Sequence, residues 1–321
     1  MRRVRYHEYG GPEVLRVEDA ELPEPGQGQV RVRAAAIGAN FVDTKFRRGA
    51  GAIFHRPLPA TLTGDVVGTV DAVGEGVDAG LVGRRVATLV LDAFADFVLA
   101  DASGLVDVPD GMDDGAASML PSAAPVAFGV LLASGLAPGG TVLVHAAAGN
   151  IGHLAVQLAK LRGAGTVIGT AGSPAKLDFV RALGADAAID YGEEDWVDQV
   201  RAAAPSGVDA VLDSIGAKTT LQSLELLAPF GHHVIYGAAD DVVDVPATSL
   251  YRLRAISGFS LLAWQAARPV EYREALAELT DLLAKGRLRA TVHTRLPLTE
   301  AAEAHRLLDA RAQLGRVLLV P

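Results

Sequence analysis

Thr141-Val142-Leu143-Val144-His145-Ala146-Ala147-Ala148-Gly149-Asn150-Ile151-Gly152-His153-Leu154-Ala155 reads as a buried strand, a tight turn of small residues and the start of a helix. The strand candidate runs from Thr141 to His145. The helix candidate runs from Ile151 to Arg162, with Leu154, Leu158 and Leu161 on one face. A dinucleotide pyrophosphate needs this arrangement. Small residues let the backbone come close to the phosphates, and a helix N-terminus offers unpaired N–H groups and positive dipole charge. Gly149 supplies the close approach, and Gly152 and Ala155 allow the helix to pack on the strand. Gly149, Asn150, Ile151 and Gly152 are therefore candidate cofactor contacts. The commonest fingerprint has another glycine first, where this chain has alanine, so the motif draws its weight from the strand–turn–helix context.

Downstream the alternation continues. Strands are expected at Thr166–Thr170, Ala187–Ile189, Val208–Leu212 and His232–Tyr236. Helices are expected at Pro174–Leu183, closed by Gly184, and at Glu193–Ala203 and Lys218–Ala228. Such alternation predicts right-handed crossovers and a parallel sheet. The tail predicts helices at Val270–Lys285 and Thr299–Ala310 and a last strand at Arg316–Val320. Upstream, residues 1 to about 110 read as mostly strand. Runs such as Gln29–Ala34, Asp65–Val73 and Arg84–Val90 alternate with Gly/Pro/Asp turns.

The second strand informs the choice of cofactor. A site for NAD usually carries Asp or Glu there to hold the ribose hydroxyls. Here Gly169-Thr170-Ala171-Gly172-Ser173-Pro174-Ala175-Lys176 has no carboxylate before Asp178. Ser173 and Lys176 suit a 2′-phosphate, one by hydrogen bonding and one by charge, which favours NADPH. The competing reading makes Ser173 a helix cap and Lys176 a solvated side chain.

Composition narrows the class. A net charge of −9 argues against nucleic acid and against an anionic membrane surface. There is no cysteine, so disulfides, thiolate ligands and a cysteine nucleophile are excluded. No signal peptide is evident at the N-terminus, and a cytoplasmic location is expected. Residues 115 to 144 carry no charge, but Pro121, Pro125, Gly129, Pro138, Gly139 and Gly140 interrupt them. A buried helix followed by a strand accounts for that run better than a membrane span.

The sequence resembles the medium-chain dehydrogenase/reductase superfamily, in its zinc-free quinone oxidoreductase (zeta-crystallin-like) branch, essentially from end to end. The resemblance rests on Ala36 through Thr44, Gly64-Asp65-Val66-Val67-Gly68, His145 through Gly152, Ala185 through Tyr191, Val211 through Gly216, and Pro297 through His305. It implies an α/β fold, with a Rossmann doubly wound parallel sheet plus a GroES-like β domain. The implied boundaries are 1–118 with 262–321 for the GroES-like substrate domain, and 119–261 for the Rossmann domain, the cofactor lying between the two. It implies that Tyr191 joins Ser173 and Lys176 at the 2′-phosphate. By the same likeness Asn40, Phe41 and Lys45 line the nicotinamide side, Gly237 and Ala238 reach toward the cofactor, Phe259, Ser260 and Leu261 pass beside the nicotinamide, and Arg316 reaches it from the last strand. For the side chains of Phe259 and Leu261, plain core packing is an equal reading.

Asn40 and Lys45 are the catalytic candidates, although a solvated role suits Lys45 better. Relatives with catalytic zinc carry a His-Glu pair that Thr63-Gly64-Asp65 lacks, and adjacent His232 and His233 point to opposite strand faces, so no metal is expected. The resemblance departs at Lys45 and Gly51, where tyrosine and another aromatic are common, so a quinone, enone or enal remains open as substrate. The expected activity is NADPH-dependent, metal-independent reduction of a quinone or α,β-unsaturated carbonyl by hydride transfer. A pathway-specific enoyl reductase and a low-turnover NADPH-binding sensor or structural protein are the alternatives. A homodimer is implied, joined through the sheet edge near His232–Tyr236.

Overall fold

The structure, a computed structural model, describes residues 1–321 other than Ala52. The chain divides into two compact units, Met1–Ser122 with Ala290–Pro321, and Ala123–Arg289. The first opens with β1 (Arg2–Arg5), β2 (Arg16–Asp19) and β3 (Gln29–Ala39), followed by α1 (Phe41–Arg48). Then come β4 (Gly64–Val73), β5 (Arg85–Val90), β6 (Phe97–Asp101), β7 (Val106–Asp107) and the single turn α2 (Asp114–Ala117). The second unit holds α3 (Ala123–Ser134), β8 (Thr141–Val144), α4 (Gly152–Leu161), β9 (Thr166–Ala171), α5 (Pro174–Ala182) and β10 (Ala187–Asp190). It continues through α6 (Trp196–Ala203), β11 (Val208–Asp213), α7 (Ala217–Leu224), β12 (Leu227–Ile235), β13 (Ala255–Gly258), α8 (Leu261–Ala267) and α9 (Pro269–Ala284). β14 (Val292–Pro297), α10 (Ala301–Asp309) and β15 (Arg316–Val320) return to the first unit.

In the first unit, β14-β15-β3-β4-β5-β7 form a sheet, with β6 also paired to β3. Neighbours are antiparallel except β14 and β15. Its core gathers β-branched and aromatic side chains, among them Val4, Tyr6, Ile37, Val66, Phe94 and Leu319, all fully buried. α1 was not foreseen in a region read as strand and turn.

In the second unit, six parallel strands lie in the order β10-β9-β8-β11-β12-β13. The order reverses between β8 and β11, and ligands of doubly wound sheets bind at the carboxyl ends beside that reversal. α5 begins with Pro174 at its first position, and Gly184 follows its end with φ +104°, as its sequence signals predict. The charge-free run becomes α3 and β8, and among the described residues no helix is long and apolar enough to cross a membrane.

Three expectations change. The helix expected to reach Ala228 ends at Leu224, because Leu227 already begins β12. The strand expected at a sheet edge, His232–Tyr236, falls on β12 as far as Ile235 and is covered by β13, which is itself the outer strand. Residues 262–284, expected with the first unit, form α8 and α9, which pack on α3 within the second.

Candidate cofactor site

β8 ends at Val144, and the chain enters the Gly-rich turn through His145, which is wholly buried. Ser223 donates to the Thr219 carbonyl at 2.7 Å, so its oxygen accepts from Nε2–H of His145, also at 2.7 Å. Nδ1 then accepts from the Thr170 hydroxyl at 2.8 Å. Burial pushes the imidazole down to about 4 and keeps it neutral. His145 thus ties the end of β8 to β9 and α7, and carries structure rather than proton transfer.

Ala146 adopts φ +49°. Gly152 lies so close to it that a Cβ there would stand 2.2 Å from the Ala146 carbonyl oxygen. Glycine is therefore required where α4 begins. His153 closes the turn, donating from Nδ1 to the Gly149 carbonyl at 2.9 Å. No side chain caps α4 at Ile151, and Asn150 Oδ1 is buried without a partner among the described residues. A helix start without a side-chain cap, beside an orphaned buried acceptor, fits a ligand that brings both phosphate oxygens and hydroxyls.

The neighbouring strands bring the other candidates to the same end of the sheet. Ser173 follows β9 as the N-cap of α5, yet its hydroxyl makes no cap bond, contrary to the capping role open to it from sequence. Tyr191 follows β10, and its backbone N–H donates to Ala171 at 3.1 Å. Its phenol oxygen sits 2.9 Å from where a Cβ on Gly172 would be, which sets the phenol beside Ser173. Lys176 lies in the first turn of α5, its N–H bonded to the Ser173 carbonyl at 3.1 Å.

Gly237 and Ala238 follow β12. Their loop is laced to the turn after β11, with Ala239 N–H on Ser214 at 2.9 Å and Asp240 N–H on Ile215 at 2.8 Å. Asp213 sets that turn. Its carboxylate accepts from Ile215 N–H (2.7 Å), the Thr220 hydroxyl (2.5 Å) and His233 Nε2 (3.0 Å). Burial alone would raise this carboxyl, but the bonds from His233 and Thr220 and the neighbouring imidazoles hold it below the usual carboxylate range. Sequence reading missed Asp213 because its partners are assembled from β11, α7 and β12.

Phe259 follows β13, and its N–H donates to Ile235 at 2.8 Å. Its ring turns away to Gly129 and Trp264, the latter with centroids 5.9 Å apart. Its side chain is therefore a packing group, as sequence allowed. Ser260 caps α8 by accepting from Ala263 N–H at 3.4 Å, and Leu261 opens that helix.

The remaining candidates belong to the first unit. Lys45 is buried, with its ammonium 5.3 Å from the centroid of Phe54, which overturns the solvated reading. Phe41 begins α1 with the Arg311 guanidinium 5.7 Å from its ring centroid. Arg316 is wholly buried and paired with Asp65, and Asn40 bonds both. Among the described residues no three His, Asp or Glu side chains gather as metal ligands.

Over its whole length, the chain is 36% identical to a quinone oxidoreductase of Pseudomonas aeruginosa, covering 99% of that protein. The chain belongs to the medium-chain dehydrogenase/reductase superfamily, in its quinone oxidoreductase branch. Two domain families of that superfamily match in order, an alcohol dehydrogenase GroES-like domain over residues 26–110 and a zinc-binding dehydrogenase domain over residues 150–281. A second relative in the superfamily, a 2-haloacrylate reductase of a Burkholderia species, is 35% identical over 98% of this chain and 97% of its own. An Escherichia coli quinone oxidoreductase crystallised with NADPH superposes with a TM-score of 0.92 at 32% identity, covering both chains fully. The fold is therefore that of the superfamily's dehydrogenases and reductases, α/β with a Rossmann sheet and a GroES-like unit.

Proposed function

We propose that this protein is an NADPH-dependent oxidoreductase that reduces a quinone or an α,β-unsaturated carbonyl compound by hydride transfer, with no metal ion taking part. The observation that carries the reading is the carboxyl end of the parallel sheet. There the Gly-rich turn, with its uncapped helix N-terminus, shares one end with Ser173, Lys176 and Tyr191. Bound NADPH would supply the hydride. The backbone of Gly149 through Gly152 would hold the pyrophosphate, and Ser173, Lys176 and Tyr191 the 2′-phosphate. The loop of Gly237 and Ala238, fixed by Asp213, and the backbone from Phe259 to Leu261 would orient the nicotinamide half. Asn40, Phe41, Lys45 and Arg316 are the contributions proposed from the first unit. The relatives' names support both arms of the substrate class, quinone and unsaturated carbonyl.

We also propose a homodimer. β13 leaves one edge of a six-stranded sheet open, and Phe230 (81% exposed), Tyr251 (80%) and Leu253 (59%) stand beside it. Phe230 and Leu253 both hold positive φ, joined by a 2.6 Å bond from Phe230 N–H to the Leu253 carbonyl. Bulky side chains rarely adopt that conformation. A second copy adding its own β13 across a two-fold axis would cover these side chains.

The deciding experiment measures NADPH and NADH binding by calorimetry, then NADPH oxidation with 9,10-phenanthrenequinone, 1,4-benzoquinone and simple enones. Acceptor-dependent oxidation with a preference for NADPH supports the reading. Tight NADPH binding with no turnover on any acceptor moves the protein to a sensor or structural role. Absence of NADPH binding overturns the assignment.

A further inference from the structure

Asn40 occupies the N-cap of α1 with extended backbone (φ −110°, ψ 138°), yet its side chain makes no cap bond. Asparagine there normally accepts from a first-turn N–H, an interaction worth about 1 kcal/mol. The amide is engaged elsewhere. Its Nδ2 donates to Asp65 Oδ2 at 3.2 Å, and its Oδ1 accepts from Arg316 Nη1 at 3.4 Å. Chemistry fixes this orientation, because a carboxylate only accepts and a guanidinium only donates. A flipped amide would set oxygen against oxygen and N–H against N–H.

The two partners are buried against each other. Asp65 and Arg316 are wholly buried and joined directly through the same carboxylate oxygen that Asn40 uses. Gly38 makes the space, since a Cβ there would stand 1.7 Å from Arg316 Nη2. Asn40 itself remains partly exposed. One of its two N–H groups is spent on Asp65, and its oxygen is directed at Arg316. What it can still offer outward is one N–H, made a stronger donor by the guanidinium at its oxygen.

We propose that Asp65 and Arg316 are positioning residues that make Asn40 a one-way donor, whose second Nδ2–H bonds the carbonyl oxygen of the hydride acceptor. This rests on the oxidoreductase reading above. As hydride adds to the β-carbon of an enone, the C=C electron pair moves toward the carbonyl and negative charge collects on its oxygen. Water then supplies the proton. A donor fixed at that oxygen before the reaction lowers the barrier to the hydride step.

The test uses the full chain with NADPH and an enone. Asn40→Ala should lower kcat by about 100-fold, the scale of losing one preorganised oxyanion donor, while Kd for NADPH stays within about twofold. Asp65→Asn keeps the shape and removes the charge, and should lower kcat by about tenfold on the same scale. The double variant Asn40→Ala/Asp65→Asn should be no slower than Asn40→Ala alone, because Asp65 acts through Asn40. If Asp65→Asn fails to fold, the kcat against Kd split of Asn40→Ala still decides whether Asn40 donates to the acceptor. An unchanged kcat in Asn40→Ala, a parallel loss of NADPH affinity, or additive losses in the double variant would each overturn the proposal. If wild-type protein shows no NADPH oxidation with any acceptor, the oxidoreductase reading has failed, and that is seen before any variant is made.

Discussion

Arg47 donates from Nη1 to Nδ1 of His305 across 3.0 Å, and both side chains are shut off from solvent. The bond ties α1 to α10, and Arg47 also reaches Asp309 at 2.6 Å. An Nδ1 that accepts must be unprotonated. Burial and the charges of Arg47 and Arg48 push His305 down to about 3. In the unfolded chain the imidazole titrates near its ordinary value of about 6.5. Between those values the unfolded state binds a proton that the native state refuses, so this stability is present at neutral pH and lost on acidification. His145, pushed down to about 4, acts in the same direction. Asp43 opposes them. Burial raises it to about 6, so the native state keeps a proton that the unfolded chain releases, and its contribution fades as pH rises through that value. Denaturant titrations from pH 6.5 to 4 should show falling stability, by up to ~1.4 kcal/mol per pH unit for each histidine. His305→Asn keeps an acceptor for Arg47 and should remove one histidine's share of the slope. Asp43→Asn should make the acid loss steeper. Identical slopes in wild type and His305→Asn would exclude His305 as a source.

Gly152→Ala tests the close approach at the Gly-rich turn. Its methyl would lie 2.2 Å from the Ala146 carbonyl oxygen, so the backbone of the turn must shift. Calorimetry should find NADPH affinity reduced by at least about tenfold, equivalent to about 1.4 kcal/mol. Wild-type affinity in this variant would mean the phosphates bind elsewhere.

Cofactor choice is expected to follow Ser173, Lys176 and Tyr191. Lys176→Ala should cut kcat/KM for NADPH by about tenfold, the scale of one charge-assisted hydrogen bond, and leave kcat/KM for NADH unchanged. Ser173→Ala and Tyr191→Phe should act in the same direction more weakly. Equal losses with both cofactors would place these side chains in scaffolding.

Subunit association is read at β13. Leu253→Asp adds a charge beside the open strand edge, and Phe230→Ser removes the most exposed aromatic in its neighbourhood. Light scattering on the eluting protein should report a dimer for wild type and a monomer for Leu253→Asp. A wild-type monomer, or an unaffected dimer in both variants, rules out this edge.

The Rossmann half was readable because each strand ends in a chemical signal that does not need tertiary context. Pro174 and Gly184 bracket α5, and Gly152 opens α4. The first half was less so. α1 is short, eight residues just past the eleven-residue β3, and no helix was expected over Phe41–Arg48. Lys45 is covered through a contact with Phe54, nine positions on, that charge alone cannot announce. α3 is apolar on all sides, so its helical period carried no information. Asp65 entered the sequence reading as a strand residue, within the matching stretch Gly64 to Gly68 and beside a missing zinc ligand, but never as a partner of Arg316. Its partner Arg316 is 251 positions away, and no local pattern links them.

The uncapped start of α1 bears on how this enzyme should be engineered. Ser or Asp at position 40, freed from its distant partners, could cap the helix and recover about 1 kcal/mol. A thermostability screen will therefore favour substitutions at the very side chain whose spare N–H is assigned to the substrate. Heat-tolerant variants selected without an activity assay are expected to accumulate there as well-folded, slow proteins.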